Sequence, residues 1–349
     1  VFRLRAGYVL AAAGVVFAAM AGSPTVAVAQ PGGPYTPLIL SLPSGARPLA
    51  MGNVGVASRD DDVLFYNPAQ LAVARGTSGS AERYSSTSAG GTLSSVTRLS
   101  NSAFAIGAQV VDYRSPTSAF CDSGGFGGCL SQAEFPLDRE TSVGPGVAQG
   151  LSTEAILGYA TTFKSIRVGA AAKYASDELA AVRIQRGSVD VGVAKDLFRF
   201  FTLALAVQNI GPSTSLACSE HSEIGHDDCE VQSTPAPANN GIIVPVYLPL
   251  RTTLGGSFSH QLGEFDLVST AAVSVLRANG VSPAGGAELG YSWLDGYDIA
   301  LRGGLRRPLP GEAPITAGAG LTMDRLSIDY ALETLTGSRV VHRLGFRIR

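Results

Sequence analysis

Three places in the chain hold residues that could do chemistry. The densest is Glu220-His221-Ser222-Glu223-Ile224-Gly225-His226-Asp227-Asp228, with Cys218 before it and Cys229 after it. Imidazoles, carboxylates and thiolates are the usual ligands of zinc and related ions. The two histidines lack the i, i+4 spacing of a helical site, and neither cysteine pair has the CxxC spacing of a zinc site. The expected reading is an acidic surface loop, with no metal assigned. The second place is Asp60-Asp61-Asp62. It lacks the alternating ligands of a calcium loop, so a solvated or arginine-paired acidic cluster is expected. The third is Asn67-Pro68-Ala69, where Asn can cap or turn the chain and Pro fixes φ. No GxSxG, HExxH or P-loop is present, and the glycine-rich run Gly144–Gly150 has no βαβ context. No catalytic residue and no cofactor follow, so an enzyme is not expected.

The elements that must carry these residues are strands. Leu203, Leu205 and Val207 alternate with Ala204, Ala206 and Gln208. Leu326, Ile328, Tyr330 and Leu332 alternate with Ser327, Asp329, Ala331 and Glu333. A period of two means strands with two different faces. The alternation gives about fourteen strands, beginning near Thr77, Gly91, Ser102, Thr153, Ser165, Val182, Phe200, Leu248, Gly263, Ala284, Tyr297, Ala313, Arg325 and Val340. Every second connection is tight, as at Asp295-Gly296 and Met323-Asp324. The others are mostly longer, above all Ser115 to Leu151 and Gly211 to Tyr247. Short turns on one rim and long loops on the other are the mark of an outer-membrane barrel. The composition agrees. The chain is 45% hydrophobic and only 15% charged, where a soluble domain is nearer a quarter charged. The expected fold class is all-β: a closed antiparallel transmembrane β-barrel.

Residues 1–29 read as a signal peptide, with Arg3 and Arg5, an apolar core from Tyr8 to Ala21, and a small-x-small site at Ala27-Val28-Ala29. Cleavage after Ala29 removes two arginines and leaves 24 basic against 28 acidic residues, net −4. That charge gives no case for nucleic acid. Residues 30–75 form an N-terminal segment and hatch, and residues 76–349 the barrel. The stretch Gly45 to Arg75 lacks the period of two and should be a compact irregular or helical plug. Export permits disulfides, and the local pairs Cys121–Cys129 and Cys218–Cys229 are expected at the long-loop rim.

The hatch stretch also resembles a known signature. It holds Arg47, Met51-Gly52, an Ala followed by the paired acids Asp61-Asp62, then Tyr66-Asn67-Pro68-Ala69 and Leu71. This resembles the N-terminal block of the PorV/PorQ family, within the FadL-like barrel superfamily. The resemblance implies a fourteen-stranded barrel with a hatch. It also implies a binding, shuttle or scaffold role toward secreted protein partners at the long loops or the hatch. The alternative it carries is a FadL-type channel taking up hydrophobic small molecules. Partners expected from this reading are outer-membrane lipid, a protein or a hydrophobic ligand. The face pattern bears on the choice. Val340, His342, Leu344, Phe346 and Ile348 share one face of the last strand, and Arg343, Arg347 and Arg349 the other. Arg302 and Arg306 likewise oppose Leu301 and Leu305. If the apolar faces meet lipid, Arg302, Arg306, Asp329, Arg343 and Arg347 face the lumen, which disfavours a continuous greasy conduit. On this pattern Leu344→Arg should impair folding far more than Arg343→Leu.

Overall fold

The alternating segments close into one ring. The computed structural model describes residues 36–85, 88–116, 147–179, 182–219, 228–232, 242–277, 280–308, 312–335 and 339–349. The barrel strands are β1 (Gly76–Arg83), β2 (Ala89–Leu99), β3 (Ser102–Pro116), β4 (Val147–Phe163), β5 (Ile166–Leu179), β6 (Val182–Phe198), β7 (Phe201–Ile210), β11 (Arg251–Leu262), β12 (Phe265–Leu276), β13 (Gly280–Leu294), β14 (Tyr297–Arg306), β15 (Glu312–Met323), β16 (Leu326–Leu335) and β17 (Arg339–Ile348). Each pairs antiparallel with its neighbours, and β1 pairs with β17, so the fourteen-stranded sheet has no edge. Closure satisfies every ladder hydrogen bond inside a membrane, where an open edge would be untenable.

The period of two sorts the side chains. On β17, Leu344 is 56% and Phe346 41% exposed on the outside, whereas Arg343 is fully buried. Leu157, Val191, Leu254 and Leu301 continue the exposed apolar surface around the ring. Such a surface is solvated by lipid rather than water. No helix among the described residues is long and apolar enough to cross a membrane; the crossing is by strands.

Six connections on one rim have two residues each, at 100–101, 164–165, 199–200, 263–264, 295–296 and 324–325. Lys164 and Ser165 both take positive φ, the geometry that matches the right-handed twist of a hairpin. The opposite rim carries the long connections, though residues 180–181 alone join β5 to β6. One expected loop is more than a loop. Between β7 and β11 stands a separate sheet of β8 (Thr214–Ser219), β9 (Asp228–Gln232) and β10 (Ile242–Val246), in the order β10-β8-β9. Its register sets Cys218 directly opposite Cys229. Cys121, Cys129, residues 1–29 and the stretch from Glu220 to Asp227 lie outside the described residues.

Before β1 the chain forms only short turns of helix: η1 (Leu38–Ser41), α1 (Ala46–Ala50), η2 (Asp61–Phe65) and η3 (Pro68–Ala72). None would be stable alone, since isolated helices below about 12–15 residues are marginal. The barrel wall holds them. α1 packs on β14 to β17, η2 on β1 to β3, and η3 on β3 to β6. Met51 lies on Gly286 of β13 and Val56 on Gly255 of β11. A segment that touches strands on all sides of a closed ring lies inside it. Its core joins Val63, Leu64 and Leu71 to the short inward residues Ala103, Ala105, Ala160 and Ala171.

Candidate functional site

The hatch is fastened to the wall by charge. Arg47, the second residue of α1, donates from Nε and Nη2 to the two Glu288 carboxylate oxygens at 2.7 and 2.6 Å, and from Nη1 to Asp60 at 2.5 Å. Glu288 on β13 also accepts from Arg302 on β14. Arg302 reaches Asp329 on β16 at 2.7 Å, Asp329 reaches Arg347 on β17 at 2.9 Å, and Arg347 returns to Asp60 at 2.6 Å. Six alternating charges therefore close a ring with no net charge. Arg349 adds a third guanidinium to Asp60 at 2.8 Å. Arg47 is the most exposed of the six, at 18% of its side chain. The ring skips β15, where a side chain at Gly320 would stand 2.6 Å from the Arg302 guanidinium and 2.8 Å from Asp329. Glycine lets the two cross.

Burial alone would raise the Asp60 carboxyl's pKa. The guanidiniums of Arg47, Arg347 and Arg349, with the Ser58 hydroxyl, instead hold it well below the usual carboxylate range. Of the acidic triplet, Asp60 is thus the anchor. Asp62 is also buried, with its carboxylate against Gly45. The Asp61 side chain lies outside the described residues. The arginine-paired reading fits Asp60, and the pairing comes from three directions at once. Among the described residues no group of His, Cys, Asp and Glu could hold a metal ion.

The remaining motif residues hold the hatch's shape. The Asn67 Oδ1 accepts from the Ala69 N–H at 3.0 Å and caps η3, with Pro68 in its first turn, while Nδ2 donates to the Val56 carbonyl at 2.9 Å. Tyr66 donates its hydroxyl to Asn53 at 2.9 Å and accepts from the Ser44 and Gly45 N–H groups. Burial and the nearby Asp62 push its phenol up to about 12. Met51 is buried. Gly52 has φ +76°, and its Cβ would stand 2.8 Å from the Gly285 and Leu305 carbonyls, so no other residue fits without strain. Replacing Asn67 with Ala removes both a cap and a tie to the turn at Val56. A loss of about 1–2 kcal/mol in local stability is expected, read as faster hydrogen exchange at residues 68–72 with the barrel amides unchanged.

The sequence-nominated lumen arginines meet acids. Arg306 pairs with Glu333 at 2.6 Å and Arg343 with Glu82 at 2.8 Å, and Arg343 also donates to the Pro43 carbonyl at 2.7 Å. Sequence reasoning missed a second cluster. Lys173 on β5 lies between Glu154 on β4 at 3.3 Å and Asp190 on β6 at 2.9 Å, all nearly or fully buried. Arg167 and Arg59 share Asp196 nearer the short-turn rim. The signal was there for the wall residues: Glu154, Arg167, Lys173, Asp190 and Asp196 are charges on the inward phase of alternating strands. Toward the long-loop rim, Ile39 and Leu40 of η1 form an apolar floor with Val111, Ala175 and Leu248, flanked by Leu42, Tyr84 and Tyr113.

No family model and no curated protein matches this chain. Solved structures do. The toluene transporter TodX of Pseudomonas putida aligns with a TM-score of 0.55 at 12% identity, over 89% of this chain and 99% of its own. The toluene transporter TbuX of Ralstonia pickettii aligns at 0.51 and 14% identity, over 89% and 100%. CymD, a monoaromatic hydrocarbon channel, aligns at 0.51 and 10%, over 87% and 97%. The fold is that of these barrels. At these identities the likeness reaches the architecture and stops there. The finer PorV/PorQ assignment gains no support from these comparisons.

Proposed function

We propose that this chain is an outer-membrane channel for small neutral hydrophobic molecules, with one-ring hydrocarbons as its solute class. The observation that carries the reading is the structural match, over 87–89% of this chain, to barrels that are toluene transporters and a monoaromatic hydrocarbon channel. The lumen is compatible with it. Its many charges do not face an aqueous pore; they neutralise one another in buried pairs. Toward the long-loop rim the inner surface is apolar instead, in the cluster of Ile39, Leu40 and Leu248. The shuttle or scaffold role rested on the family resemblance and on the long loops, and the comparisons favour the channel over it. Export with cleavage after Ala29, a hatch within residues 30–75, a barrel from residue 76, and disulfides at Cys121–Cys129 and Cys218–Cys229 belong to the same proposal.

Crystals soaked in bromobenzene test the reading. Bromine anomalous peaks are expected inside the lumen, on the floor formed by Leu40, Val111 and Leu248. Peaks confined to the lipid-facing surface would remove the solute-channel reading.

A further inference from the structure

At the short-turn rim, between hatch and wall, lies a cavity of about 140 Å³. Three arginines (Arg47, Arg59 and Arg199) and five hydroxyl side chains line it, with four apolar side chains and no carboxylate. At ~30 Å³ per water molecule, it has room for a small anion together with part of its hydration shell. The one acid on β11 and β12, Asp266, is not in the lining.

The arginines are unequally engaged. Arg47 is taken up by Asp60 and Glu288. Arg59 uses only Nη2, which donates to the Asp196 carboxylate at 2.8 Å and to the Thr202 hydroxyl at 3.0 Å. Arg167 shares that carboxylate. Two guanidiniums on one carboxylate leave one positive charge in excess. Arg199, in the turn between β6 and β7, adds a second, with no acid paired to it among the described residues.

Beside these charges runs a row of hydroxyls. Thr202 on β7 pairs in register with Ser257 on β11, and Ser257 with Thr270 on β12. All three are on the inward phase of their strands, and all three line the cavity. Thr202 is bonded to Asp196 and Arg59. Thr270 is different. It is 7% exposed, and its buried hydroxyl has no hydrogen-bond partner. Such a group has given up its water without a replacement, and an acceptor placed in the cavity would supply one.

We propose that this cavity binds a small tetrahedral oxyanion of the phosphate type. Guanidiniums and hydroxyls both donate, and a phosphate oxygen accepts from either. The donors come from the hatch at Arg59, from the β6–β7 turn at Arg199, and from the wall at Ser257 and Thr270. An anion with oxygens on every side meets donors so spread better than a planar carboxylate does. Held there, it bridges hatch and wall on the periplasmic face. A neutral hydrocarbon has no part in this site, so phosphate binding and toluene uptake can fail separately.

Calorimetric titration of inorganic phosphate into the purified barrel with its hatch, at an ionic strength fixed with chloride, should show one saturable site. Arg199→Gln should weaken it about tenfold or more, as loss of a hydrogen bond to a charged group does. Thr270→Val should weaken it about fivefold, the worth of one neutral hydrogen bond. Without phosphate, Thr270→Val should leave stability in urea unchanged or higher, because the hydroxyl has no partner to lose. Crystals soaked in selenate should show an anomalous peak between Arg199 and Thr270. Dihexanoyl phosphatidate binding more tightly than free phosphate would identify a lipid headgroup as the source, and the reverse order the anion in solution. No saturable binding, wild-type affinity in both variants, or acetate binding as tightly as phosphate would overturn the site.

Discussion

Asp60→Asn should release the hatch while the barrel stays folded. Asp60 takes guanidiniums from Arg47, Arg347 and Arg349, so one substitution breaks the ion pairs that Arg347 and Arg349 make with it. Removing one partner of a buried ion pair costs about 3–5 kcal/mol, because the other charge is left uncompensated. At 1.4 kcal/mol per factor of ten, hatch amides should exchange on the order of a hundred to several thousand times faster, with strand amides unaffected. Single-channel conductance in planar bilayers should rise together with exchange. The wild-type latch should ignore ordinary pH changes. The folded pKa of Asp60 lies below its unfolded value of about 3.9, so its stabilisation is fully present above that value. It is lost only as pH falls through the still lower folded pKa. Hatch exchange in wild type is therefore expected to show no Asp60-linked step between about pH 5 and 8. Unchanged exchange and conductance in Asp60→Asn would show that the charge ring does not hold the hatch.

Arg343→Leu is the second large effect, and here the structure reverses an expectation drawn from the strand pattern. The pattern placed Arg343 in the lumen, where water or nearby acids could take it, and so made its loss cheap. Instead Arg343 and Glu82 are both wholly buried and paired with each other. Arg343→Leu strands the Glu82 carboxylate and removes the donor to the Pro43 carbonyl. The cost should be about 3–5 kcal/mol. Leu344→Arg puts a charge into lipid at about 2–4 kcal/mol near the midplane, less toward either interface. Both variants should destabilise the barrel in urea titrations from phospholipid vesicles, with Arg343→Leu at least as damaging. Adding Glu82→Gln to Arg343→Leu should recover part of the loss. A double variant that is additive, or a single variant with wild-type stability, would mean that the pair contributes nothing.

How much of this was legible follows from the range of each signal. Strand alternation is local, so all fourteen barrel strands could be counted, and the inward phase of Arg302, Arg306, Asp329, Arg343 and Arg347 follows from their neighbours alone. Partners are not local. Glu82 meets Arg343 because the first strand pairs with the last, opposite each other in register. Closure of the ring sets that contact, and no single strand shows it. Asp60, Asp61 and Asp62 look alike in sequence, and only the approach of β17 selects Asp60. The sheet of β8 to β10 escaped because its strands have 5 or 6 residues, too few to establish a period.

The most direct measurement of the central claim is uptake by intact cells of two solutes of similar size, toluene and a polar solute such as glycerol. Expression of the chain in a host lacking related barrels should raise the initial rate for toluene several-fold, in a saturable manner, and leave glycerol unchanged. No gain for toluene, or an equal gain for both solutes, would contradict a plugged barrel built to pass small hydrophobic molecules.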